Sequence, residues 1–136
     1  MGRRLILDTC VLIAAERGKL QLADFVVSDD DIALPMIVLT ELRMGVLLAD
    51  DRHRSIREAA ADRVQKLFPI LEYSTSVSEA HAELLAWTRR NGSPRGPFDL
   101  IIAASAAATG RTLITSDRTA VFAALPGVTV DDLTLR

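Results

Sequence analysis

The chain has 136 residues, 16 basic against 18 acidic, a net charge of −2 and 49% hydrophobic residues. That length fits one domain, residues 1–136, able to bury roughly two-thirds of its unfolded surface. The near-balanced charge advertises no polyanion partner, and no apolar run approaches the ~20 residues of a membrane span.

Arg4 to Asp8 reads as a buried strand, and Thr9 to Arg17 as a short helix stopped at Gly18. A second helical stretch, Lys19 to Val27, is expected to run into the polar turn Ser28-Asp29-Asp30-Asp31. Ile32-Ala33-Leu34 is a short strand closed by Pro35. Met36 to Ala49 is helical and apolar around most of its circumference, and Asp50 to Phe68 is a far more polar helix. Pro69 to Tyr73 is a strand, and Ser78 to Arg90 a helix with Ala80, Leu84 and Trp87 on one face. Asn91 to Pro97 carries every signal of a loop. Phe98 to Thr109 is an alanine-rich helix stopped at Gly110. Thr112 to Thr115 is a strand, Thr119 to Leu125 a short helix, and Val128 to Val130 a last strand. Short strands alternating with helices predict a parallel sheet covered on both faces.

The core is aliphatic, since Trp87 and Tyr73 are the sole Trp and Tyr. The single Cys10 excludes an internal disulfide and fits a reducing cytoplasm. The apolar stretch in Met1 to Asp8 is too short for a signal peptide, so a cytoplasmic location is expected. Nearly all cations are arginines, the better group for bidentate phosphate recognition.

Four acids stand where a carboxylate is hardest to tolerate. Asp8 ends Leu5-Ile6-Leu7, Glu41 follows Ile37-Val38-Leu39-Thr40, Asp99 precedes Leu100-Ile101-Ile102, and Asp117 follows Leu113-Ile114-Thr115-Ser116. Read singly, Asp8 is a helix N-cap, Asp99 a first-turn helix stabiliser and Asp117 a turn residue. Glu41 lies with Ile37, Met44 and Leu48 at helical spacing, which is read as a core-facing stripe interrupted by a charge. Together the acids ask for a cation, because two carboxylates about 4 Å apart repel by about 4 kcal/mol at an effective dielectric near 20. In parallel sheets ligands bind beyond the carboxyl ends of the strands, where Asp8 and Asp117 converge from remote sequence. Thr9, Thr115 and Ser116 flank the acids as candidate hydroxyl partners.

Carboxylate oxygens without His or Cys select Mg²⁺, with Mn²⁺ as a substitute, and suit phosphodiester chemistry. Attack through a ribose 2′-hydroxyl needs paired acid and base groups, and His53 and His81 are read as surface residues. A phosphatase using an aspartyl-phosphate needs a second Asp two residues on, where Cys10 stands. A receiver domain needs a late Lys, and none follows Lys66. No glycine-rich phosphate loop is present.

Asp8-Thr9-Cys10-Val11-Leu12-Ile13 after Ile6-Leu7, Thr40-Glu41-Leu42 with Gly45, Pro97-Phe98-Asp99-Leu100-Ile101-Ile102-Ala103-Ala104 and Leu113-Ile114-Thr115-Ser116-Asp117-Arg118 resemble the PIN domain. More narrowly, they resemble the VapC toxins of prokaryotic toxin–antitoxin pairs. The ordered set spans nearly the whole chain, and Leu125-Pro126-Gly127-Val128 has the look of the family's ending. The resemblance implies a three-layer α/β/α fold with a short, mainly parallel sheet. It implies a Mg²⁺- or Mn²⁺-dependent endoribonuclease in which Asp8, Glu41, Asp99 and Asp117 are catalytic and metal-binding. RNA would be the substrate, a VapB-like antitoxin the inhibitor, and a homodimer the usual assembly. Arg89, Arg90, Arg95 and Arg118 are the candidate RNA contacts. Two alternatives stand beside this: a PIN nuclease for RNA processing or structured DNA without an antitoxin, and a non-catalytic PIN assembly module.

Overall fold

Leu5, Ile6 and Leu7 are all wholly buried, as a run of consecutive apolar residues requires when both faces of a strand are covered. A computed structural model of the protein describes residues 2–117 and 120–135. In it those residues belong to β1 (Arg4–Leu7), the first strand and the middle one of a five-stranded sheet. The others are β2 (Asp31–Pro35), β3 (Ile70–Leu71), β4 (Thr112–Thr115) and β5 (Val130–Asp132), in the order β3-β2-β1-β4-β5. Every pairing is parallel, with Leu5 opposite Ile32 on one side and Thr112 on the other.

The helices are α1 (Thr9–Glu16), α2 (Met36–Leu48), α3 (Asp51–Leu67), α4 (Thr75–Asn91) and α5 (Pro97–Thr109). From β1 the chain steps outward through β2 to β3, then returns across the sheet to β4 and β5. Parallel crossovers are right-handed, so this reversal puts α1 to α3 on one face and α4 and α5 on the other. The turning point lies between β1 and β4, where the connections leave in opposite directions and open a crevice at the strands' carboxyl ends. Ala103 and Ala106 on α5 are fully buried; with no side chain beyond Cβ they let that helix close on its neighbours.

The sequence misplaces several boundaries. The helix expected over Lys19 to Val27 is only a 3-10 turn at Leu22–Asp24. Gly18, at φ +72°, ends α1, and both Lys19 and Leu20 then donate back to the Ala14 carbonyl. The Phe25 carbonyl is taken by the Arg3 guanidinium at 2.6 Å rather than by a helical amide. Helix α4 begins earlier than Ser78, because Ser74 accepts from the Val77 amide and caps it. The last strand lies two residues further on than Val128–Val130, pairing Val130 with Leu113. Of the helix expected over Thr119 to Leu125, the described part holds a 3-10 turn at Phe122–Ala124, and Thr119 lies outside the described residues.

Candidate active site

Asp8 is the residue after β1, and its amide continues the sheet by donating to the Ile114 carbonyl at 2.9 Å. Its side chain then turns to cap α1, Oδ1 accepting from the Thr9 amide at 2.8 Å. Only 3% of Asp8 is exposed. Oδ2 accepts from the Thr115 hydroxyl at 2.9 Å and from the Cys10 thiol at 3.2 Å. The capping role and the buried-acid role predicted for Asp8 are therefore both present in one side chain.

Glu41 reaches the same place from α2. Its Oε1 accepts from the Thr9 hydroxyl at 2.7 Å, so adjacent residues of α1's start hold two acids. The sequence reason given for Glu41 does not survive, however. Met44 is 47% and Leu48 78% exposed, so the stripe they share with Glu41 is not core-facing. The buried face of α2 is instead Val38, Leu39 and Val46. Glu41 sits half-buried at the boundary, where α2 passes the first turn of α1.

Asp99 occupies the first turn of α5, after Pro97. Asp117 follows β4, with its amide donating to Thr115 Oγ1 at 3.0 Å and its Oδ1 accepting from the Ala120 amide at 3.3 Å. Electrostatics links all four. Burial, then the charges of Asp8, Asp117 and Glu41, push the Asp99 carboxyl up to about 6, against a smaller opposing effect of Arg95. Burial raises Asp8 further than its three hydrogen bonds lower it, with Asp117 adding to the rise. Burial and Asp8 raise Glu41 against the Thr9 hydroxyl.

Three of these carboxyls are thus held above their unfolded values, and the sign of the stability effect follows. A raised acid binds protons more tightly folded than unfolded, so stability falls as pH climbs from about 4 through about 6 and stays reduced above it. Asp99→Asn in the metal-free protein should gain about 1 kcal/mol at pH 7, after discounting a half-exposed group for solvent screening. A rise of about 3 °C in melting temperature at pH 7, vanishing at pH 4, is the expected measurement.

The donor set fits a hard divalent cation: buried carboxylate oxygens whose mutual repulsion a cation would relieve. Among the described residues no three His, Cys, Asp or Glu side chains are grouped closely enough to hold one ion together. The acids flank the crevice rather than close on it, with Asp8, Glu41 and Asp117 each tied to its own donors.

The predicted hydroxyl partners divide by target. Thr9 bonds Glu41 and Thr115 bonds Asp8, whereas Ser116 donates to Cys10 Sγ at 3.3 Å. The contact of Cys10 with Asp8 was not foreseen in the sequence, where Cys10 is read for redox compartment and motif only. Its place two residues after a strand-end acid, in the first turn of the helix that acid caps, was the available signal. Burial and the neighbouring Asp8 push its thiol up to about 11, so it is a protonated donor.

Of the described candidate RNA contacts, Arg95 is the one whose charge acts on Asp99. Its guanidinium donates to the Ser93, Pro94 and Val121 carbonyls, bracing the loop before α5 against residue 121. Arg89 and Arg90 are exposed in the last turn of α4. Arg118 lies outside the described residues. His53 is exposed, as expected, and His81 is half-buried against Tyr73, whose hydroxyl lies 2.8 Å from its Nδ1.

Comparison with known proteins agrees on one family. The PIN domain family model matches residues 5–127. Ribonuclease VapC4 of Mycobacterium tuberculosis is 33% identical over 94% of this chain and 95% of its own length. Ribonuclease VapC1 of Rickettsia felis is 32% identical over 82% of this chain and 83% of its own. A crystal structure of VapBC-5, a member of the VapBC toxin–antitoxin family from Mycobacterium tuberculosis, superposes with a TM-score of 0.79 at 30% identity, covering 96% and 98% of the two chains.

Proposed function

The chain belongs to the PIN domain family, and from that premise we propose that it is a divalent-metal-dependent endoribonuclease and the toxin of a toxin–antitoxin pair. One observation carries the reading: Asp8 is buried at a strand's carboxyl end, Thr9 joins it to Glu41 of α2, Thr115 joins it to the segment of Asp117, and the charges of all three bear on Asp99 of α5. The ribonuclease names of the VapC relatives supply the substrate class.

In this reading Asp8 and Asp99, with Glu41 and Asp117, hold Mg²⁺ or Mn²⁺ through hard oxygens. A divalent cation bound there supplies Lewis acidity, lowering the pKa of a water and offsetting charge on the phosphate under attack. Thr115 and Thr9 keep Asp8 and Glu41 oriented, so little reorganisation is left for the moment of reaction. Arg95, whose charge acts on Asp99, is the candidate phosphate contact, with Arg89, Arg90 and Arg118 as further candidates.

The antitoxin reading rests on the VapBC likeness and on a groove beside the site. An apolar cavity of about 260 Å³ lies among α1, α2 and α3, lined by Leu12, Leu42, Gly45, Val64 and Phe68 with Glu41 at its border. It fits an apolar segment of a small partner chain passing the acids. A second copy of this chain is the proposed cover for Leu47, Leu48 and Ile56, exposed by 76%, 78% and 59%. No described helix is long and apolar enough to cross a membrane.

The test is cleavage of RNA by the purified chain. Products with 5′-phosphate ends are expected in Mg²⁺ or Mn²⁺, none in EDTA, with activity returning on adding back the metal. Cleavage that persists in EDTA refutes the metal mechanism. Failure of the product of a neighbouring short reading frame to copurify and inhibit refutes the toxin assignment alone.

A further inference from the structure

We propose that Cys10 is a positioning residue for Asp8: its thiol and the Thr115 hydroxyl together saturate Oδ2, leaving Oδ1 as the atom Asp8 offers to a divalent cation. The proposal rests on the metal-dependent reading above and adds to it which oxygen binds and what fixes it.

A carboxylate has about four acceptor positions, two on each oxygen. Oδ2 receives Thr115 Oγ1 at 2.9 Å and Cys10 Sγ at 3.2 Å, while Oδ1 receives only the Thr9 amide, at 2.8 Å. The shorter contacts favour one direction for each proton. The Asp117 amide donates to Thr115 Oγ1 at 3.0 Å, and the threonine's own proton has Asp8 Oδ2 at 2.9 Å as its nearest acceptor. Ser116 Oγ donates to Cys10 Sγ at 3.3 Å, and the thiol lies 3.2 Å from Asp8 Oδ2 against 3.8 Å from Thr115 Oγ1, so Asp8 is its nearer acceptor. Two relays thus start in the segment Ser116–Asp117 and end on one oxygen of Asp8. They lock the carboxylate's rotation, and they couple it to the loop that carries another of the four acids.

A plain packing role for Cys10 makes different predictions, since it also touches the hydrophobic core. Packing would favour an apolar replacement over a polar one and leave metal uptake alone. A positioning role needs a donor, which serine supplies and alanine does not.

The experiment titrates Mn²⁺ alone into the purified metal-free chain, reading free ion by electron paramagnetic resonance, with melting temperatures measured in parallel. Cys10→Ala should bind Mn²⁺ about tenfold more weakly, the usual loss when an outer partner of a metal ligand is removed. Cys10→Ser should stay much closer to the unmodified chain, and Ser116→Ala, which leaves the thiol but removes its own donor, should fall between. Equal Mn²⁺ affinity in Cys10→Ala and the unmodified chain overturns the proposal while leaving the metal reading intact. So does Cys10→Ser binding no better than Cys10→Ala. Should Cys10→Ala fail to fold, Cys10→Ser and Ser116→Ala decide: unmodified affinity in Ser116→Ala overturns the relay. If the unmodified chain takes up no Mn²⁺, the metal reading falls and this inference with it.

Discussion

Asp8→Asn is expected to slow RNA cleavage on the order of a thousandfold, about 4 kcal/mol of transition-state stabilisation. Asparagine keeps the shape of the side chain, so the sheet bond from residue 8 to the Ile114 carbonyl and the cap on Thr9 both persist. What changes is charge and the pattern of donors. Oδ2 accepts from Thr115 and Cys10, and an amide nitrogen there would point two hydrogens at two donors. An amide flip would move that nitrogen against the Thr9 amide instead. Either way the hard anionic oxygen is lost.

Stability should move little, because escape from burial and from the Asp117 charge offsets the hydrogen bonds that the amide nitrogen cannot accept. That separation makes the result interpretable. Mapping of 5′ RNA ends in cells expressing each form, beside melting curves of the purified proteins, reads both quantities. Identical cleavage maps would sink the assignment of the nuclease to this crevice.

The second large effect lies at the opposite end of the sheet. Arg111→Met should destabilise the protein by about 3 kcal/mol and lower its melting temperature by about 10 °C. Arg111 is 8% exposed, and its Nη1 donates to the Leu5 carbonyl at 3.3 Å and the Asp31 carbonyl at 2.8 Å. Both Nη atoms also reach the Asp31 carboxylate, at 3.3 and 3.4 Å. One side chain from the start of β4 thereby ties β1 and β2 together. Methionine fills most of the volume but leaves the Leu5 and Asp31 carbonyls short of a donor, and an unpaired buried polar group costs about 1–3 kcal/mol. Because the acids lie at the far ends of the strands, RNA cleavage per folded molecule should be unchanged. An unaltered melting temperature would show that the buried guanidinium contributes nothing net.

Particular residues show what a sequence can disclose here. Asp8 and Asp117 were singled out because each closely follows a short apolar strand, Leu5-Ile6-Leu7 or Leu113-Ile114-Thr115, and parallel strands deliver their ends to one rim. Asp99 was readable through Pro97, which sets where α5 begins. Glu41 was found for an unsound reason: Ile37, Met44 and Leu48 looked like a buried stripe, yet α2 turns Val38, Leu39 and Val46 inward. An all-apolar helix has no periodicity to reveal which face it buries, so its orientation comes only from tertiary packing. The same limit applied to Lys19–Val27, where turn bonds to Ala14 and the Arg3 guanidinium outcompete a helix. Cys10 was hidden because its role depends on a threonine and a serine more than a hundred positions away.

The central strand of the sheet, β1, is made before the four strands that flank it. β1 needs β2 on one flank and β4 on the other, and β4 is made about a hundred residues later. Through most of translation one edge of that apolar strand stays bare, an invitation to pair with any other extended chain. The arrangement has a protective side as well. No nascent chain ending before Asp117 carries the complete acidic set, so an enzyme proposed to destroy RNA stays harmless until that acid has been added.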